Sequence, residues 1–375
     1  MRIINGSVFV GEGFVERDVF VAEGRFVGEA ARAEGGQTVD AAGCYVIPGL
    51  VDLHFHGSAG ADISDGDLAG LHRMGAYEAS RGVTAMCPAT MTLPEDVLMR
   101  AAQAAAAYEP AADEAALVGI NMEGPFISPS KVGAQNPDYV RNPSAEEFRR
   151  LQEAAGGLFK LVDIAPEEPG AEEFIREMAN EVRISLAHTC TDYDTAARAF
   201  ELGARQLTHL YNAMDPMHHR KPGPIPAAVE HGEVTAEIIA DGVHIHPAMV
   251  RLAFQLFGDN RMILISDTLR AAGLEDGTYD LGGQDVTVRG PVATIDNGAL
   301  AGSVSDLMRC LTVAVRDMGI PLASAVKAAS ANPARALGLD AERGAIEAGK
   351  VADAVLLDKE TLDVRAVVLR GELLA

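Results

Sequence analysis

The chain has 375 residues, 48% of them hydrophobic and 23% charged, which is enough for one large folded domain and a smaller one. Its formal net charge of −23 argues against nucleic acid or an anionic membrane surface as a partner, because both require basic protein surface. The four cysteines are widely spaced, and no apolar run reaches about 18 residues, so we expect a cytoplasmic protein without disulfides.

Short strand-like segments open the chain. Turns rich in Gly, Glu and Asp separate them, and Pro48-Gly49 ends the series. The predicted strands cover residues 3–10, 15–21, 25–27 and 44–47.

From residue 50 onward, eight apolar runs alternate with amphipathic helical segments. The count favours a (β/α)8 barrel; a doubly wound sheet would also fit the alternation, but it would not favour eight strands. The predicted strands are 50–55, 83–87, 117–122, 159–164, 183–187, 205–208, 235–240 and 262–265. The predicted helices between them include 67–80, 94–107, 144–154, 171–180 and 193–202.

The last part of the chain returns to strands after two predicted helices, at residues 303–317 and 322–331. Residues 344–358 and 364–369 have strand-and-turn character. We therefore predict an α/β protein with a TIM-like (β/α)8 barrel, residues 49–343. A small β-sandwich domain, formed by both chain termini, would comprise residues 1–48 and 344–375.

The stretch Val51-Asp-Leu-His-Phe-His-Gly57 holds two histidines at the end of the first predicted barrel strand. Alternate side chains of a strand share a face, so His54 and His56 point the same way. Paired imidazoles at the end of a buried strand are suitable metal ligands. Two solvated histidines on a surface strand are the alternative interpretation.

Four further polar residues follow apolar runs at the ends of predicted strands: Glu123, His188, His209 and Asp267. Each alone has an ordinary explanation, such as a turn cap or a hydrogen-bonded core histidine. In a barrel, however, all strand ends meet at one face, where function resides. One glutamate with several histidines is typical of an open, catalytic zinc-type site. Asp267 would take a proton from a metal-activated water and deliver it to a leaving group, as in hydrolysis of an amide or ester-like bond.

With these residues assembled, the chain resembles the amidohydrolase superfamily and, within it, the family of N-acetylglucosamine-6-phosphate deacetylases. The resemblance runs nearly from end to end. Its most specific motifs are Met122-Glu-Gly-Pro-Phe126, Gly133-Ala-Gln-Asn-Pro137, Ile164-Ala-Pro-Glu167, Ala187-His-Thr189, Thr208-His-Leu-Tyr-Asn-Ala-Met214, Ala240-Asp-Gly-Val-His244, Ser266-Asp267 and Leu300-Ala-Gly-Ser303.

The resemblance implies roles for particular residues. Asp267 would be the catalytic acid and base. The implied metal ligands are His54, His56, Glu123, His188 and His209. They would hold one or two divalent ions, zinc foremost, with iron, cobalt or manganese as alternatives. The implied substrate-binding residues are Ala134, Gln135, Asn212, Ala213, Arg220, Asp241, His244, Leu300, Ala301 and Gly302.

The substrate implied is an amino-sugar 6-phosphate that loses its N-acetyl group as acetate. Arg220 would bind the sugar phosphate, typically across the interface of a homodimer, and a guanidinium suits a phosphate through paired hydrogen bonds. Gln135 stands where many family members have His, which bears on the identity of the sugar.

Three alternatives stay open at this point. An N-acetylgalactosamine-6-phosphate deacetylase differs only in the orientation of one substrate hydroxyl. A cyclic-amide hydrolase would require a carboxylated lysine at the end of the fourth strand, whereas Lys160 lies near that strand's start. A non-catalytic sugar-phosphate-binding protein would have no need for Asp267.

Overall fold

The computed structural model describes residues 1–29 and 36–374. The amino-terminal strands are β1 (Arg2–Ile4), β2 (Ser7–Phe9), β3 (Phe14–Glu16), β4 (Val19–Ala22), β5 (Arg25–Val27), β6 (Thr38–Asp40) and β7 (Cys44–Pro48). The central elements are β8 (Leu50–Asp52), β9 (Gly57–Ser58), β10 (Ala61–Asp62), α1 (Leu68–Ser80), β11 (Val83–Met86), β12 (Ala89–Thr90), α2 (Glu95–Ala106), β13 (Ala116–Leu117), β14 (Ile120–Glu123), α3 (Ala145–Ala154), β15 (Phe159–Ile164), α4 (Ala171–Met178), β16 (Arg183–Leu186), α5 (Tyr193–Leu202), β17 (Gln206–Leu207), α6 (Pro224–Glu230), β18 (Thr235–Ile239), α7 (Pro247–Phe257) and β19 (Met262–Ile265).

The carboxy-terminal elements are β20 (Gly277–Leu281), β21 (Gln284–Arg289), β22 (Val292–Ile295), α8 (Leu307–Arg316), α9 (Leu322–Ala329), α10 (Ala331–Ala336), β23 (Ala354–Asp358), β24 (Val364–Leu369) and β25 (Glu372–Leu373). Short 3-10 turns lie at Ile63–Asp65 and Pro137–Tyr139.

Side-chain caps start several of the helices that follow the strands. Asp67 accepts hydrogen bonds from the backbone N–H groups of Ala69 and Gly70 at the start of α1. Ser144, Asp192 and Asp306 cap α3, α5 and α8 in the same way. Because each cap satisfies otherwise unpaired backbone donors, it stabilises its helix by about 1 kcal/mol and fixes where the helix begins.

The central strands are parallel and pair in chain order. β8 pairs with β11, β11 with β13, and β12 with β14. The third predicted strand is therefore split in two, and β12 is a separate short strand beyond the end of the second. The strand order then follows the chain order from β14 through β15, β16, β17 and β18 to β19. Just beyond the last strand, Asp267 N–H donates to the carbonyl of His54 (2.9 Å), and His56 N–H donates to that of Thr268 (2.7 Å). These bonds bring the ends of the first and last strands together, in an α/β arrangement of the TIM-barrel type.

The strands alternate between an outer apolar face and an inner face that changes from apolar to polar. In β18, Ala236 and Ile238 belong to the large core shared with the helices, whereas Ile239 belongs to a separate cluster with Val51, Leu161 and others. Glu237, which lies between Ala236 and Ile238 in sequence, shares the inner face with Ile239 and is fully buried. This period of two is what places charged groups on the inner side of the sheet.

The chain termini form two further sheets that share one hydrophobic cluster. β5, β4, β1 and β6 make a four-stranded sheet, and β25, β24, β23, β7, β2 and β3 make a six-stranded one. The shared cluster includes Ile3 and Val21 from the first sheet and Val46, Leu356 and Val368 from the second.

Some predicted boundaries were wrong, each for a local reason. The single strand predicted over residues 3–10 is interrupted at Asn5, which has φ +61°. The one predicted over residues 15–21 is likewise two strands, β3 and β4. The first barrel strand stops at Asp52, so His54 and His56 follow it instead of lying within it. The helix predicted over residues 322–331 breaks at Ser330 (φ −137°, ψ −72°).

The antiparallel sheet β20–β22 was not predicted. Its turns at Gly282-Gly283 and Gly290, between alternating segments, are the signal that could have found it. Across the described ranges, none of the helices combines the length and the apolar character needed to cross a membrane.

Candidate metal centre and active site

Six predicted residues meet where the parallel strands end. Glu123 is the last residue of β14, and the others follow their strands by two to four residues: His54 and His56 after β8, His188 after β16, His209 after β17 and Asp267 after β19. All six are buried, with at most 8% of any one exposed. The sequence-based expectation that these strand ends converge is therefore met in the structure.

Three of these residues have backbone conformations that L-amino acids rarely adopt. The φ angles are +44° at His188, +28° at His209 and +50° at Asp267. Local strain of this kind costs on the order of 1–3 kcal/mol per residue and persists where the surrounding structure requires it. Here it turns each side chain inward immediately after its strand.

Glu123 Oε1 lies against two histidines, and together they form what we call the His188 group. Glu123 Oε1 is 3.0 Å from His188 Nε2 and 3.1 Å from His209 Nε2, and the two nitrogens are 3.2 Å apart. Zinc ligands at bond lengths of about 2.0–2.1 Å stand about 3.3 Å from one another in a tetrahedron. The three atoms thus have nearly the spacing of three ligands on one ion.

The other oxygen of Glu123 faces a second set of atoms, which we call the His54 group. Glu123 Oε2 is 3.1 Å from His56 Nε2 and 3.5 Å from His54 Nε2. Asp267 Oδ1 completes it, at 3.4 Å from His56 Nε2 and 3.8 Å from His54 Nε2. One carboxylate therefore faces both groups, one oxygen to each.

Unpaired polar atoms indicate that these groups suit a divalent cation. His54 Nε2 and Asp267 Oδ1 are buried, and neither has a hydrogen-bond partner among the described residues. Buried polar atoms nearly always have a partner, so such a pair pointing at one another needs an explanation. Imidazole nitrogens with carboxylate oxygens are donors that zinc and similar metals accept.

The histidines also hold the carboxylates ionised. Burial favours the protonated form of Glu123, but the charges of His54 and His56 and the hydrogen bonds from His188 and His209 bring its pKa well below the ordinary 4.5. Burial opposes ionisation of Asp267 as well, yet the nearby imidazoles of His56 and His54 lower its pKa below 3.8. Both groups are therefore negatively charged at neutral pH, as metal ligands or a base must be.

A cavity of about 280 Å³ opens over these groups. Among the predicted substrate-binding residues, those lining it are Ala134, Gln135, Asn212, Ala213, His244, Leu300 and Gly302. Met91, Gly133, Leu281 and Ala299 also line it and were not predicted. Leu281 belongs to β20, and Gln284 Nε2 of β21 donates to the carbonyl of Ala134 (2.5 Å), so the unpredicted sheet forms part of the wall.

Three predicted substrate-binding residues do not line the cavity. Asp241 lies behind His244 and accepts from its Nδ1 (2.7 Å), so Nε2 of that ring is the atom free to meet a ligand. Burial opposes protonation of His244, but Asp241 outweighs it and raises the pKa of the imidazole. Ala301 is fully buried, and the exposed Arg220 lines a neighbouring cavity of about 470 Å³ instead.

Gln135 has both ends of its amide occupied by protein. Its Oε1 accepts from the backbone N–H of Thr92 (2.6 Å), and its Nε2 donates to Glu123 Oε2 (2.9 Å). The side chain therefore orients the central glutamate as well as lining the cavity. Cys190, two residues beyond His188, is exposed and is not among the residues that line the cavity.

Sequence reasoning missed the buried polar residues beneath the site, above all Asp163 and Glu237. Asp163 accepts from Thr208 Oγ1 (2.7 Å), and Glu237 Oε2 lies 2.9 Å from His54 Nδ1. The available signal was a charged residue inside an otherwise apolar strand, as in Thr235-Ala-Glu-Ile-Ile239, because an unpaired buried charge is too costly to keep. Lys160 lies near the start of β15, as predicted, away from these groups.

A TIM-type barrel whose strand ends carry two histidine–carboxylate groups on a shared glutamate defines the class of metal-dependent hydrolases. The sequence model of the amidohydrolase family matches residues 45–374. The chain therefore belongs to the amidohydrolase family.

Individual relatives narrow the comparison. The chain is 38% identical to the N-acetylglucosamine-6-phosphate deacetylase of Bacillus subtilis (strain 168), over 88% of this chain and 84% of that protein. It is 34% identical to the N-acetylgalactosamine-6-phosphate deacetylase of Escherichia coli O157:H7, over 88% and 87%. The structure of the Mycobacterium smegmatis N-acetyl-D-glucosamine-6-phosphate deacetylase superposes with a TM-score of 0.92 at 34% identity, covering 100% of both chains.

Proposed function

We propose that this protein removes the N-acetyl group from N-acetylglucosamine 6-phosphate, giving acetate and glucosamine 6-phosphate. The observation that carries the proposal is Glu123 shared between two histidine groups, with the unpaired Asp267 Oδ1 beside them under a cavity. The names of the relatives in Bacillus subtilis and Mycobacterium smegmatis supply the substrate.

The residues divide the work of amide hydrolysis among them. The His188 and His54 groups would hold a divalent metal, which would supply positive charge to polarise a carbonyl and would lower the pKa of water. Asp267, held ionised, accepts a proton from the attacking water as its oxygen bonds to the carbonyl carbon. The same carboxyl then gives the proton to the sugar nitrogen as the C–N bond breaks. Because His244 Nδ1 donates to Asp241, Nε2 is the ring atom that meets the substrate from the cavity wall, and it donates a hydrogen bond when the imidazole is protonated, the form that Asp241 favours.

We propose zinc as the metal, with iron, cobalt or manganese as alternatives, and occupancy of both groups. The mixed imidazole and carboxylate donors suit zinc. His54 and His56 favour two ions, since one ion on the His188 group would leave their Nε2 atoms without a role.

The phosphate requires a cation that the cavity does not itself provide. No lysine or arginine is among the described residues that line it. We propose a homodimer in which Arg220 of the partner subunit reaches the phosphate, as the family resemblance implies. Arg220 is exposed on the loop that follows Asn212 and Ala213, so its side chain is accessible to a partner subunit.

The proposed domain division keeps residues 49–343 as a closed (β/α)8 barrel and residues 1–48 with 344–375 as a small β-sandwich. The pairing of β7 with both β2 and β23, and the cluster shared by the two terminal sheets, support it. We also propose a cytoplasmic location, since all four cysteines are free, which suits a reducing compartment.

The test is acetate release by metal-loaded protein from N-acetylglucosamine 6-phosphate, its galacto isomer and unphosphorylated N-acetylglucosamine. Fast release from the phosphorylated gluco sugar alone is expected. Preference for the galacto isomer would instead support the second candidate, which the similarity to the Escherichia coli O157:H7 enzyme favours. Binding of either sugar phosphate without release would contradict a deacetylase and leave a non-catalytic binding protein.

A further inference from the structure

A column of hydrogen bonds runs up the inside of the barrel and ends at the metal centre. Arg183 Nε donates to Gln206 Oε1 (2.8 Å), and Gln206 Nε2 donates to Glu237 Oε1 (2.5 Å). Glu237 Oε2 then lies 2.9 Å from His54 Nδ1. Three consecutive strands, β16, β17 and β18, supply the first three residues. The column therefore links the barrel floor to a candidate metal ligand.

The direction of every bond in this column is fixed from its lower end. A guanidinium only donates, so the amide oxygen of Gln206 must face Arg183; Thr235 Oγ1 donates to the same oxygen (3.0 Å). The amide NH₂ of Gln206 consequently faces Glu237. Glu237 Oε2 also accepts from the backbone N–H of His209 (3.2 Å). The nearest group to His54 Nδ1 is therefore an acceptor, at 2.9 Å, whereas Asn121 Nδ2 lies farther away, at 3.3 Å, and also donates to Asp163 Oδ2 (3.4 Å).

We propose that Glu237, oriented by Gln206 and Arg183, is a positioning residue that fixes the proton of His54 on Nδ1 and so enables metal binding by the His54 group. Neutral imidazole carries one proton, and the nitrogen without it is the one that can ligate a metal. With Nδ1 donating to Glu237, the lone pair is on Nε2, which faces Glu123 Oε2 and Asp267. The inference rests on the metal site of the proposed function and deepens it.

His54 differs in this respect from His56 and His188, while the Nδ1 of His209 has no hydrogen-bond partner among the described residues. The Nδ1 atoms of His56 and His188 lie against backbone carbonyls, those of Ala89 (2.9 Å) and Lys131 (2.7 Å). Substitution of a side chain cannot remove those acceptors. His54 depends instead on a side chain at position 237, so that position determines whether the His54 group binds its ion. Carboxylates that accept from ligating histidines typically contribute about 10–100-fold in metal affinity.

The variant Glu237→Gln keeps the shape and reverses the hydrogen-bonding at His54. In the arrangement that keeps the hydrogen bond from the Gln206 NH₂, the introduced amide turns its oxygen downward and its NH₂ toward His54 Nδ1, and the N–H of His209 loses its acceptor. His54 would then carry its proton on Nε2. We expect wild-type protein to retain two metal equivalents per chain after dialysis against zinc-free buffer, and the variant to retain one, with affinity for the second lowered about 10–100-fold.

The double variant Gln206→Glu with Glu237→Gln is the matched rescue. It exchanges the acid and the amide without changing net charge or total side-chain volume. The carboxylate now accepts from Arg183, Thr235 and the amide above it, so that amide turns its oxygen toward His54. We expect the second equivalent to return, with affinity within about tenfold of wild type. A role in packing alone predicts no loss in the single variant.

Metal content by mass spectrometry, chelator competition and circular dichroism give the readout without any substrate. Any of three results would overturn the proposal. Wild type could retain only one metal equivalent, the single variant could retain two tightly held equivalents, or the double variant could bind the second equivalent as weakly as the single variant does. If the single variant fails to fold, nitrogen-15 spectra of wild type loaded with cadmium-113 decide: metal coupling at His54 Nε2 is expected, and coupling at Nδ1 refutes it. Absence of deacetylation with this metal pattern intact would count against the proposed function only.

Discussion

Replacing Asp267 by Asn separates the proton-transfer step from the architecture of the site. The φ of +50° at this position is one that Asn tolerates better than most residues, so the backbone should not move. Asn also has nearly the shape of Asp, but it cannot accept and return a proton. General acid–base catalysis contributes about 10²–10⁴-fold, so kcat should fall by that factor, equivalent to about 3–5 kcal/mol of barrier.

The assay is steady-state acetate release from N-acetylglucosamine 6-phosphate, with metal content measured on the same samples. Asp267 Oδ1 lies 3.4 Å from His56 Nε2 and belongs to the His54 group, so a loss of metal must be separated from a loss of base. Glu78→Gln is the matched control, because it removes a buried carboxyl that does not line the cavity. Turnover of Asp267→Asn within about tenfold of wild type, at equal metal content, would refute the assigned role.

Three further predictions concern the cavity roof, a buried acid and the phosphate. Gly302→Ala should lower kcat and reduce the unfolding free energy by on the order of 1–3 kcal/mol. The reason is that Gly302 has φ +64° and that a Cβ there would lie 2.8 Å from the carbonyl oxygen of Asp267. Urea denaturation and kinetics equal to those of wild type would contradict this prediction. Burial, followed by the charge of Asp52, raises the pKa of Glu78 well above 4.5. Its protonated form therefore stabilises the fold fully below about pH 4.5, and this contribution is lost as pH rises through the folded pKa. Glu78→Gln should be more stable than wild type in urea at about pH 8 but not at about pH 4, and lower stability of the variant at both pH values would count against this reasoning. Arg220→Ala should raise KM for the phosphorylated sugar about 10–100-fold, the loss of charge-assisted hydrogen bonds, and leave kcat/KM for the unphosphorylated sugar unchanged; equal losses on both sugars would argue against phosphate recognition.

The order of elements and the six residues of the candidate metal centre could be predicted from the sequence. Apolar runs alternating with helical segments reveal parallel strands, and a His, Glu or Asp directly after such a run must lie at the end of a strand. Because a barrel gathers all its strand ends on one face, the meeting of Glu123, His188 and His209 follows from sequence and topology alone. Strand ends were less certain, since the break at Asn5 depends on a single φ angle.

Only the tertiary structure decided which side chain faces which. Gln135 in sequence is a candidate for binding sugar, yet its amide is occupied by Thr92 N–H and Glu123 Oε2. In the sequence, Glu237 is an unexplained charged residue in an apolar strand. In the structure, it contacts His54, Gln206 and the N–H of His209, which β8, β17 and β18 bring together. The physical reason is that hydrogen bonds act over about 3 Å and depend on direction, so they are fixed by strand register and rotamers. Sequence periodicity determines faces and strand ends, but it does not determine those contacts.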